Sequence, residues 1–112
     1  MVNYNEEQMS AVFMALADAT RRGMITRLSE GPATIGELGR PYAISKPAVT
    51  RHVKVLERAG LVSRKKDGRI HRCKLNPAPM KTAEDWIEKH RKFWEASLDS
   101  LASYLEETND DR

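Results

Sequence analysis

The chain has 112 residues, 40% of them hydrophobic and 31% charged, with a formal net charge of +3. That length suits one domain with one core, and the lone Cys73 excludes an intramolecular disulfide or a CxxC zinc clip. No apolar run is long enough for a membrane span or a secretory leader, so a soluble cytoplasmic protein without a membrane partner is expected.

In chain order, Asn5-Glu6-Glu7-Gln8 predicts a helix start with Asn5 at the N-cap. Met9, Val12, Phe13 and Leu16 then fall on one helical face. Asp18 opens a second helix with Ile25 and Leu28 apolar, and Gly31-Pro32 stop it. Thr34-Ile35-Gly36-Glu37 is a capping box for a short third helix that Gly39 and Pro41 end. Ser45 caps a fourth helix, with Pro47 in its first turn and a Schellman-type stop at Gly60-Leu61.

The period then changes from helical to alternating. Leu61 to Lys66 and Arg69 to Leu75 read as strands joined by Asp67-Gly68. Asn76-Pro77-Ala78-Pro79 breaks the chain, and one long helix is predicted from Met80 to Glu107. Thr108 to Arg112 lacks an apolar anchor and is expected to fray. The expected fold is mostly α with a small β-hairpin, a winged helix-turn-helix spanning 1–112 as a single domain. Residues 1–17 and 80–107 would be its dimerisation helices.

Charge is segregated along this order. From Arg40 to Lys74 there are eleven Lys or Arg against two acids, a net of +9, whereas the rest of the chain nets −6. Such imbalance repels itself unless a polyanion offsets it, which points to double-stranded DNA. In a helix-turn-helix the N-terminal half of the second helix enters the major groove. Ser45, Lys46, Pro47, Thr50, Arg51 and Lys54 occupy that half, with Val49, Val53 and Leu56 turned to the core. Arginine can fork onto guanine, while Thr and Lys suit bases or phosphates. Lys65, Lys66 and Arg69 crowd the hairpin tip, with Arg64 and Arg72 behind them, a placement suited to phosphate or the minor groove. Arg21 and Arg22, beside Asp18, fit an ion pair and a phosphate contact equally well.

The run SKPAVTRHVKVLERAGLV from Ser45 to Val62 resembles the recognition helix and wing start of the ArsR/SmtB family. LADATRR from Leu16 to Arg22, Asp67-Gly68-Arg69 and Leu75-Asn76-Pro77 extend the resemblance over nearly the whole chain. It implies a homodimeric transcriptional repressor whose first and last helices pack across a two-fold axis. The family's metal sensors carry a cysteine pair on the third helix or an Asp/His set on the last. Here the third helix has no cysteine, and Asp85 and His90 stand alone among Lys89, Arg91 and Lys92. Neither a metal nor another cofactor is therefore predicted, and Cys73 reads as a small buried hydrophobe.

Phe13 and the stripe Ile87, Trp94, Leu98, Leu101 and Leu105 form the expected dimer interface. The stripe keeps near a 3.5-residue period, and apolar residues flank it on a second face that one small core cannot also cover. Two recognition helices so related would bind an inverted-repeat operator. No nucleophile–base pair or phosphate loop suggests an enzyme. A protein-docking winged helix and a metal-responsive derepressor stay open as alternatives, and the lysine-rich +9 segment disfavours the first. A small-molecule effector is unspecified.

Overall fold

The computed structural model describes residues 4–110. Five helices and a three-stranded sheet follow in the order α1 Tyr4–Leu16, α2 Ala19–Leu28, β1 Ala33–Thr34, α3 Ile35–Gly39, α4 Lys46–Arg58, β2 Val62–Asp67, β3 Ile70–Leu75 and α5 Ala78–Asp110. This is a winged helix-turn-helix, with α3 and α4 as the helix pair and β2–β3 as the wing.

Local chemistry sets most of the boundaries. Asp18 caps α2 by accepting from Arg21 N at 3.1 Å. Thr34 and Glu37 close the capping box of α3, with both reciprocal hydrogen bonds present. Ser45 caps α4 by accepting from Ala48 N at 3.3 Å. At the other end of α4, Leu61 N donates to Leu56 O at 3.0 Å and Gly60 N to Glu57 O at 2.9 Å. That is a Schellman stop, and it needs the left-handed φ of +75° that Gly60 supplies.

Four boundaries differ from expectation. Helix α1 already includes Tyr4, so Asn5 lies inside its first turn and the cap falls outside the described residues. Strand β1 is absent from the sequence reading; its two residues pair antiparallel with β3, Ala33 opposite Cys73 and Thr34 opposite Arg72. The hairpin turn is Gly68-Arg69 rather than Asp67-Gly68, because Asp67 is still paired with Ile70. Gly68 has φ +65° and Arg69 does not, the pattern of a turn with glycine at the first central position. Finally, α5 starts at Ala78 and continues through Asp110, so Thr108 to Asp110 are helical rather than frayed. Thr108 Oγ1 donates to Tyr104 O at 2.9 Å within that last stretch; Asp111 and Arg112 lie outside the described residues.

The core sits between α1, α2, α3, α4 and the inner face of the sheet. Val12, Met24, Leu38, Val53, Leu56, Leu61 and Cys73 are its most deeply buried side chains. Gly23 in mid-α2 lets the Tyr42 hydroxyl, from the turn before α4, lie directly against the helix backbone. Only the first turns of α5 join this body, through buried Pro79 and Ala83 and an edge-on contact of Trp86 with Phe13 at 5.9 Å. From Arg91 onward every described α5 side chain is exposed. The radius of gyration is accordingly 20.0 Å, against about 13 Å for a compact chain of this length.

Candidate nucleic-acid interface

Helix α4 divides its side chains cleanly. Val49, Val53 and Leu56 are buried, while Lys46, Pro47, Arg51, Lys54 and Arg58 are exposed and Thr50 is half-buried. Pro47, Arg51, Lys54 and Arg58 recur on one outward stripe, opposite the core. Arg58 belongs to that stripe by its helical spacing, a signal present in the sequence but not used there. Ser45 stands exposed at the helix start, where backbone N–H groups and the helix dipole favour an anion.

The wing stands beside this helix. Lys65, Lys66 and Arg69 are exposed at its tip. Arg64 is less free, because its Nε lies 3.2 Å from Glu57 Oε1 at the end of α4. It braces the wing against the recognition helix. Lys65 is directly opposite Arg72 across the strand pair. Like charges set opposite one another destabilise a sheet, so the wing carries repulsion that an external polyanion would relieve.

Between α4 and the wing runs an open groove of about 910 Å³, lined among others by Arg40, Lys46, Thr50, Lys54, Arg64 and Arg69. It gathers residues that the sequence scatters over thirty positions. Arg40, from the end of α3, joins them through tertiary folding alone.

Arg21 and Arg22 are occupied within the protein. Arg21 donates through Nε to Ala15 O at 2.8 Å and through Nη2 to Met14 O at 2.9 Å, and Arg22 donates to Leu16 O at 2.6 Å. They satisfy the last carbonyls of α1. The backbone N–H of Arg21, followed by the Arg21 charge, holds the Asp18 carboxyl below the usual range. Hydrogen bonds from Thr34, backbone first, do the same for Glu37.

Cys73 is buried, and burial, then the Glu57 charge, pushes its thiol up against the opposing pull of Arg64. Asp85 pairs with Lys81 at 3.3 Å, whereas the His90 ring stacks on Trp86 at 4.0 Å. Among the described residues, no three His, Cys, Asp or Glu side chains gather as a metal-ligand set. No helix among them is long and apolar enough to cross a membrane. Outside the groove's lining, Phe13 is 36% exposed, Ile87 49%, Trp94 63%, Leu98 59%, and Leu101 and Leu105 52% each.

Comparison with known proteins agrees with this geometry. Residues 16–64 match a helix-turn-helix domain family. The chain is 35% identical over 99 residues to the HTH-type transcriptional regulator Rv2034 of Mycobacterium tuberculosis (strain ATCC 25618 / H37Rv), covering 88% of this chain and 90% of that protein. It is 30% identical over 79 residues to the transcriptional repressor SdpR of Bacillus subtilis (strain 168), covering 70% and 88% respectively. The crystal structure of an ArsR family transcriptional regulator matches with a TM-score of 0.77 at 38% identity, over 85% of this chain and 97% of that one. With an exposed cationic recognition helix beside a cationic wing, the chain belongs to the ArsR family of winged helix-turn-helix transcriptional regulators.

Proposed function

We propose that the chain represses transcription as a homodimer bound to an inverted-repeat operator. The observation that carries this reading is the coexistence of two exposed surfaces: a cationic helix and wing, and a bare apolar stretch of α5. Arg51 and Lys54 read base edges in the major groove, with Pro47 and Thr50 beside them. Lys46 and the Ser45 end of α4 meet phosphate, as do Lys65, Lys66 and Arg69 from the wing. Arg64 keeps the wing at the angle that lets both elements reach one duplex.

Phe13, Ile87, Trp94, Leu98, Leu101 and Leu105 pack against the same residues of a second copy. Charge supports an antiparallel pairing of the two α5 helices. Lys89, Arg91 and Lys92 open the bare part of α5, and from Phe93 to Asp110 there are five acids and no Lys or Arg. Antiparallel helices set each basic end beside its partner's acidic end, whereas parallel helices would stack acid on acid. A two-fold dimer spaces its recognition helices about one DNA turn, roughly 34–36 Å, apart.

Selection of bound duplexes from random DNA, with sedimentation of the free protein, tests both halves. The expected result is a dimer that enriches an inverted repeat with half-sites about ten base pairs apart. Enrichment of nothing would sink the operator reading, and a monomer that still binds an unpaired half-site would sink the dimer.

A further inference from the structure

We infer that Arg21 and His52 form a tie between α1 and the recognition helix that sets base-reading specificity; the inference rests on the DNA-binding reading above. His52 lies on α4 between Arg51 and Val53, on the flank facing α2 rather than the groove. Its Nδ1 is 3.2 Å from Arg21 Nη1. Arginine has no acceptor, so the Nδ1 lone pair accepts and the ring proton is assigned to Nε2. The same guanidinium spends its other donors on Ala15 O and Met14 O at the end of α1. Asp18 fixes the Arg21 end of the arrangement by accepting Arg21 N at 3.1 Å.

One planar fork therefore joins the C-terminus of α1, the first turn of α2 and the turn of α4 that carries Thr50 and Arg51. The core contacts of Val49, Val53 and Leu56 are apolar and non-directional, so they resist separation of α4 better than rotation about its own axis. The Arg21–His52 hydrogen bond is directional, and it acts on the helix flank where rotation would be felt. Phe13, one residue before the carbonyls that Arg21 holds, packs on Trp86 of α5. The orientation of Arg51 is thereby referred to the helices proposed to meet the second copy. Arg21 and His52 are positioning residues; neither touches DNA in this scheme.

The test uses the full chain, an operator obtained by selection and a random duplex of equal length. Anisotropy gives affinity for each, and circular dichroism gives helicity and melting. His52→Leu should lower the operator-to-random affinity ratio about five- to tenfold, the upper part of the range for an ordinary hydrogen bond. Affinity for random DNA should stay within about twofold, since phosphate contacts are untouched. His52→Asn retains a short-range acceptor and should recover most of the ratio. Arg21→Lys keeps the charge but not the fork, and should lose the ratio as His52→Leu does, the double variant being little worse than either. Should His52→Leu fail to fold, Arg21→Lys carries the test alone. An unchanged ratio in a folded variant overturns the tie, as does an equal loss on both duplexes. Wild-type protein that binds neither duplex overturns the DNA-binding reading instead.

Discussion

Gly23 sits in the middle of α2, where alanine would ordinarily gain about 1 kcal/mol of helix propensity. Its Cβ would collide with the Tyr42 hydroxyl, so Gly23→Ala should instead destabilise by about 1–3 kcal/mol. Tyr42→Phe should return most of that loss in the double variant, as read by urea denaturation midpoints; a stabilising Gly23→Ala would show that the contact is absent. The same scale separates reading from holding. Arg51→Ala should cost the operator complex about 1–3 kcal/mol and relax preference at one base pair per half-site, whereas Lys66→Ala should weaken every sequence alike. Competition binding with single-base operator variants distinguishes them, and identical behaviour would refute the division between helix and wing. The outward stripe of α4 was legible because helical spacing alone turns Arg51 and Lys54 away from Val49 and Val53. The employment of Arg21 was not, because its carbonyl partners on α1 and its imidazole partner on α4 meet only after the chain has folded.

Elements whose ends are closed by their own neighbours were the legible ones. Thr34 and Ser45 each sit three residues from the N–H they cap, so sequence spacing contains the whole interaction. Ser45→Ala should therefore cost about 1 kcal/mol, while Ser45→Gly should cost only a few tenths. Thermal denaturation measures this, and equal losses in the two variants would argue against the cap. Strand β1 was invisible because two residues carry no period, and only the distant Cys73 and Arg72 give them partners. The wing was legible as a hairpin, yet its turn lay one residue later than expected. Glycine can serve either central turn position, and only the Asp67–Ile70 pairing decides between them. The caps also predict an acid response. Asp18 and Glu37 are held below the ordinary carboxylate range when folded, so their contribution is present above that range and fades as pH falls through the lowered values. Melting temperature should be flat from neutral to about pH 5 and fall below it. Asp18→Asn should flatten part of that fall; an identical acid profile in the variant would remove Asp18 from the account.

For the molecule as a whole, the salt dependence of operator binding counts its phosphate contacts. About four per protomer would give a log–log slope near −7 for the dimer, and salt-independent affinity would contradict the cationic face as the binding surface. Leu98→Glu with Leu101→Glu should give a monomer or an unfolded chain and abolish operator binding; a double variant that still sediments as a dimer would place the interface elsewhere. The bare length of α5 was foreseeable from its apolar stripe, but its end was not, because helicity in Thr108 to Asp110 is continued without any apolar anchor. That helix has a further consequence. Past Arg91 none of the described residues covers Trp94, Leu98, Leu101 and Leu105, and most helical stability in proteins comes from packing such an apolar face. With a second copy as the cover, stability is inseparable from protomer concentration, and melting temperature should climb as the protein is concentrated. At low copy number, operator occupancy would then grow with the square of abundance rather than in proportion to it. On the proposed dimer, the exposed helix would make the regulator a counter of its own molecules, silent until enough of them have been made.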